Sequence, residues 1–150
     1  MRENDKLSRG YRNNNPLNIR RSPEIWKGKV YFGNNDPEFE QFESMEYGYR
    51  AALITMRTYI KKYGLNTVYA IINRWAPAED GNDPEGYTQR VCKATGLSPD
   101  TIVGYNDADT LTKMAYGMSI VENDANKYKD ANHAAGLPNM EIIYKGWRLI

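Results

Sequence analysis

From Met45 to Tyr63 apolar side chains recur at three- and four-residue intervals: Met45, Tyr49, Ala52, Leu53, Met56, Tyr59, Ile60 and Tyr63. The run stops at Gly64. That recurrence is one stripe of a 3.6-residue period, so the segment is a long amphipathic helix that must lay the stripe against other elements. Ser44 stands where an N-cap belongs, and Glu46 suits the positive pole of the first turn. A helix of this length spans about 28 Å, the width of a small domain, and sets the frame on which the remaining segments pack.

The segments that follow repeat the helical pattern. A second helix starts at about Asn66 or Thr67, carries Val68, Ile71, Ile72 and Trp75, and is stopped by Pro77, which has no amide to donate. In "DPEGYTQRVCKATG", Asp83 is placed as N-cap, Pro84 at the first helical position and Gly96 as the stop. "SPDTIV" has the same cap-and-proline device and predicts a shorter helix. "DADTLTKMAYGMSIVEND" puts Leu111, Met114, Ala115, Met118 and Val121 on one side of another. Residues 16–42 differ, with Pro16, Pro23, Gly28, Gly33 and Pro37 around the aromatic segments "VYF" and "FEQF". They predict a small hairpin or three-stranded patch with long loops. The expected fold class is mainly α, formally α+β. Residues 1–8 read as a flexible arm, and residues 137–150 as a tail suited to an added strand, a packing arm or an oligomer contact.

A length of 150 residues fits one domain spanning residues 1–150, and 41% hydrophobic residues supply a core. The net charge is +1, yet residues 1–30 carry eight Lys or Arg against three acids, and residues 36–46 carry five acids and no Lys or Arg. Charge is local. No apolar run is long enough for a membrane span, and "MRENDKLSRG" lacks the apolar centre of a signal peptide, so export would need outside help. With Cys92 and His133 each the single residue of its kind, an internal disulfide and the usual zinc ligand sets are excluded. Neither a metal nor a cofactor is expected.

Chemistry is sought where a titratable group meets an apolar setting. Glu122 lies four residues after Met118 and seven after Ala115, so it continues the buried stripe. It also ends its helix. The carbonyl pole of the macrodipole and partial burial both disfavour the anion and push its pKa upward, as a glycosidic general acid requires. The other reading is a glutamate that bends out into solvent. The "RNNNPLNIR" stretch also has two readings. It can be a turn, with Asn15 held extended by Pro16. It can also be a wall of amides, Asn13, Asn14, Asn15 and Asn18 framed by Arg12, Arg20 and Arg21, suited to N-acetyl groups because an amide both donates and accepts. Phosphate contacts would suit the arginines too, but the acidic run and the near-zero net charge make nucleic acid an unlikely partner.

"RGYRNNNPLNIR", Trp26, Gly28, "FEQFESMEYGYRAA", "YIKKYGLNTVYAIINRWAP" and "VENDANKYKD" together resemble a group of phage and prophage virion structural proteins, P5-like, over about residues 9–130. A second resemblance implies a mechanism. "MSIVENDANKYKD" is similar to the helix end of lysozyme-like lytic transglycosylases, which makes Glu122 the matched catalytic position and places Asn123 beside it; "DAN" departs from the commoner glycine there. "NNNPLNIR" with "FEQFESMEYGYRAA" is similar to the asparagine turn and following helix of glucosaminidase relatives. The two halves stand in reversed chain order, which implies a lysozyme-like domain in circularly permuted form.

The resemblance implies cleavage of the peptidoglycan glycan strand, of muramidase or lytic transglycosylase type, with Glu122 as general acid. Peptidoglycan or another N-acetylated glycan is the expected partner, with other virion proteins beside it. The expected location is in the virion or in the host cytoplasm with release to the cell wall. Glu79 and Asp80, near Asp83 in "WAPAEDGNDPEGY", are candidate second carboxylates, with Glu46 in reserve. Trp75, Tyr87 and Trp26 are candidate rings for stacking on sugars, with core packing as the other reading. The alternative from another class is a non-catalytic virion structural or cell-wall-binding protein.

Overall fold

The computed structural model describes residues 7–150. Its helices are α1 (Arg9–Arg12), α2 (Met45–Tyr63), α3 (Val68–Trp75), α4 (Pro84–Thr95), α5 (Ala108–Asn123), α6 (Asn126–Ala134) and α7 (Met140–Arg148), with a 3-10 turn at Ala78–Asp80. Mainly helical is the fold class the sequence leads to. Four boundaries follow from capping. Ser44 occupies the N-cap of α2, the Thr67 side chain accepts from the Ala70 amide, and that of Asp83 accepts from the Gly86 amide. The fourth is Asp107, which accepts from the Thr110 amide. Gly64 and Gly96 end α2 and α4 in the left-handed conformation.

The stripes read from sequence meet in one core. Tyr49, Leu53 and Met56 of α2, Ile71 and Ile72 of α3, Val91 of α4, Leu111, Met114 and Met118 of α5 and Ile143 of α7 are all fully buried. α2 packs along α7 and α5, and α4 lies against α3 and α5. Truncating Met118 or Leu53 to alanine would cost about 2–5 kcal/mol through lost burial and the cavity left behind. At the centre, the Tyr49 hydroxyl and Ser119 Oγ share a 2.7 Å hydrogen bond between α2 and α5, so both buried hydroxyls are satisfied.

Three sequence expectations are corrected. "SPDTIV" is no helix, because its carbonyls serve α3 from outside: the Val68 amide donates to Thr101 and the Tyr69 amide to Pro99. The tail is helix α7, held on α2 with the Arg50 side chain donating to the Leu149 carbonyl at 3.0 Å. The N-terminal β region is reduced to isolated antiparallel bridges, Arg20 with Phe39 and Lys29 with Phe42. Pairing of its three segments is real but too short for a ladder among the described residues, and a buried ion pair holds it instead. Lys29 Nζ lies 2.9 Å from Glu40 Oε2 and also donates to the carbonyls of Ser22 and Glu24.

The arm expected at residues 1–8 falls mostly outside the described residues. Within them, Ser8 is buried, and its hydroxyl donates to Asn123 Oδ1 at 2.6 Å. No helix among the described residues is long and apolar enough to cross a membrane.

Candidate functional site

The asparagine segment builds a turn that reaches the end of α5. Asn14 and Asn18 both take the left-handed backbone conformation, φ 51 and 54, which asparagine tolerates better than other residues with a Cβ. The Asn14 carbonyl lies against Gly48 of α2, where a Cβ would collide with it. Gly10 permits a second close approach, since a Cβ there would stand 2.6 Å from Asn123 Oδ1 and 3.0 Å from Asn18 Oδ1. Glycine at these two points lets the turn press onto α2 and α5.

That packing brings Asn18 to Glu122. Asn18 Nδ2 donates to Glu122 Oε1 at 3.0 Å, and the Tyr87 hydroxyl of α4 donates to Oε2 at 2.9 Å. The carboxyl looks into a cleft of about 500 Å³ lined by Leu17, Asn18, Arg20, Phe39, Trp75, Ala76, Asp80, Asn82 and Glu122. Burial pushes the Glu122 carboxyl above its ordinary value of 4.5, and hydrogen bonds from Asn18, Tyr87 and Trp75 draw it partly back. The Tyr87 phenol is held well above its ordinary value by burial and by the neighbouring carboxyl. Because an amide nitrogen only donates, Oε1 remains an acceptor in both protonation states and the acidic proton belongs on Oε2. The Tyr87 hydroxyl can donate to the anion or accept from the acid.

Of the residues named from sequence, Asn18, Arg20, Trp75, Asp80 and Glu122 come together in this cleft. Trp75 packs edge-to-face on Tyr59 at 6.2 Å while also lining the cleft. Asp80 stands exposed on the 3-10 turn. Tyr87 sits behind the carboxyl, 8% exposed, and offers no ring face to a ligand.

The other candidates are not brought to the cleft, and the asparagines among them have internal work. Asn13 Nδ2 donates to Asp36, and its Oδ1 accepts from Gln41. Asn14 Nδ2 donates to the Phe42 carbonyl. Asn15, fully buried, donates to the carbonyls of Ile19 and Glu40 and accepts from the Ile19 amide. Asn123 donates to the carbonyls of Pro16 and Ser119. Arg12 lies over the Tyr128 ring. Glu46 is in the first turn of α2, Glu79 lines a separate groove with Tyr59 and Tyr69, and Trp26 lies in the loop before the Lys29 bridge. The amide wall is therefore a turn scaffold that presents one amide, Asn18.

Phe39 and Asn82 of the cleft were not singled out from the sequence. The aromatic in "FEQF" and the asparagine after Gly81 were the available signals.

A helical protein with a half-buried carboxyl at the mouth of a polar cleft is the class that this fold and site define. No family model matches the chain. It is 39% identical over 127 residues to Protein P5 of Pseudoalteromonas phage PM2, covering 83% of this chain and 76% of that protein. The chain belongs to the family of this phage protein.

Proposed function

We propose that the protein cleaves the glycan strand of peptidoglycan, as a muramidase or lytic transglycosylase, with Glu122 as general acid. The observation that carries this reading is the Asn18–Glu122 contact, which joins a half-buried carboxyl to an amide at one cleft. Protonated Glu122 passes its proton to the bridging glycosidic oxygen as the carbon–oxygen bond breaks, and the sugar leaves as an oxocarbenium-like species. The carboxylate so formed receives hydrogen bonds from Asn18 and Tyr87 together, so both donors favour the charge that develops during the step. Asp80 is the second carboxylate of the cleft. In a hydrolase it would take the proton of the attacking water, and without it the sugar's own hydroxyl attacks and returns its proton to the Glu122 carboxylate. Asn82 supplies an amide for an N-acetyl group and Trp75 a ring face for a sugar, while the Asn18 amide is committed to Glu122.

The meeting of an early asparagine turn with a late glutamate supports a lysozyme-like arrangement in permuted order. The phage relative supports delivery to the cell wall by a particle, with other virion proteins as partners.

Mass analysis of products released from purified peptidoglycan tests the reading. Wild-type protein should release muropeptides with anhydro or reducing ends, and Glu122→Gln should release none while retaining the fold. If the wild type binds the polymer and releases nothing, a non-catalytic wall-binding role replaces the enzyme.

A further inference from the structure

We propose that Arg20 is a specificity residue of this cleft, seating a carboxylate carried by the peptide stem of the glycan. The preferred substrate is then an anionic, peptide-bearing strand. The inference rests on the glycan reading above and names the substrate class more narrowly.

Two arginines flank the Phe39 ring, Arg9 at 4.5 Å and Arg20 at 5.3 Å from its centroid, and they differ in what holds them. The Arg9 guanidinium grips Asp36 through two 2.7 Å hydrogen bonds and reaches Glu38 at 3.2 Å, so its Nε and Nη2 donors are committed. Arg20 lines the cleft together with Phe39 and Glu122. Among the described residues its side chain donates no hydrogen bond, and its one ion pair is a 3.6 Å approach to Glu38, with the two side chains 74% and 52% exposed.

An exposed pair at that distance is weak and exchangeable, and Glu38 is already shared with Arg9. The planar guanidinium is therefore free to take a carboxylate in bidentate fashion. Among the described residues that line the cleft, Arg20 is the cation and Asp80 and Glu122 are the acids, so an anion belongs at Arg20. A glycan strand meets that demand through its stems, which project from the sugar backbone and carry free carboxylates.

Binding to the inactive Glu122→Gln protein tests this by calorimetry with two probes: an N-acetylglucosaminyl-N-acetylmuramyl tetrapeptide, and the same molecule with its stem carboxyls amidated. Adding Arg20→Gln should weaken the carboxylate form on the order of tenfold and leave the amidated form within about twofold. Adding Glu38→Gln should strengthen the carboxylate form, since it releases Arg20. Equal weakening of both probes, or no weakening of either, overturns the role of Arg20 while leaving the glycan reading standing. If neither probe binds, both fall together.

Discussion

Asn18 and Glu122 lie 104 residues apart in the chain, and the Asn18 amide donates to the Glu122 carboxyl at 3.0 Å. The contact joins the N-terminal turn to the end of α5 and couples the turn's conformation to the protonation of the acid. Several outcomes follow from that coupling and from the packing that creates it.

Glu122 weakens the fold as pH rises. Its carboxyl is raised above 4.5 by burial, so the folded protein keeps a proton that the unfolded chain has released. Stability from this group is complete below the unfolded value and is lost as pH rises through the folded one. Glu122→Gln lacks the titration. Its thermal midpoint should match wild type near about pH 4 and exceed it by about 3 °C near about pH 8. Parallel pH profiles for the two proteins would contradict this.

Asn18→Gly removes the amide while keeping a residue suited to φ 54. The fold should lose only about 1 kcal/mol, whereas glycan cleavage should fall about tenfold or more because the new carboxylate loses a donor. Unfolding and turnover measured side by side check it, and equal turnover would remove Asn18 from the site.

At Gly10 a methyl group would meet Asn123 Oδ1, the Asn15 carbonyl and Asn18 Oδ1. Backbone and buried amides cannot step aside freely, so Gly10→Ala should cost about 1–3 kcal/mol in denaturant unfolding. Cleavage should fall with it, because the same atoms set the Asn18 turn.

Asp36 anchors the N-terminal loops. Its carboxyl is held well below the usual range by the Arg9 guanidinium, against the opposing pull of burial, with further bonds from Asn13 and from the Glu38 and Phe39 amides. A lowered folded value gives stability that is present above the unfolded value, about 3.9, and lost as pH falls below it. Arg9 is 40% exposed and solvent screens the pair, so Asp36→Asn should cost about 1–2 kcal/mol at neutral pH. The gap to wild type should narrow in acid unfolding curves.

Helices α2 to α5 were legible because each combines an apolar period with a cap or a stop, as Thr67, Asp83, Gly64 and Gly96 show. α1 has four residues, too few for any period. α6 is mostly polar, and its anchor is Asn132, which donates to the Asn123 carbonyl and accepts from the distant Ser8 amide. α7 did carry a signal, Asn139 as cap followed by Met140, Ile143 and Trp147 at helical spacing, obscured by the alternation that also fits a strand.

At the site, the position of Glu122 on the buried stripe foretold its setting. The burial of Asn13, Asn15 and Asn123 did not show, because a run of asparagines has the same sequence whether its amides face a ligand or the backbone.

A site-resolved titration of the Glu122 carboxyl, followed by carbon NMR on glutamate-labelled protein with Glu122→Gln for assignment, tests the central claim most directly. The midpoint should lie above the ordinary glutamate range and rise further in Asn18→Gly and Tyr87→Phe. A midpoint in the ordinary range, unmoved by either substitution, would show a solvated carboxylate and contradict its role as the acid of this cleft.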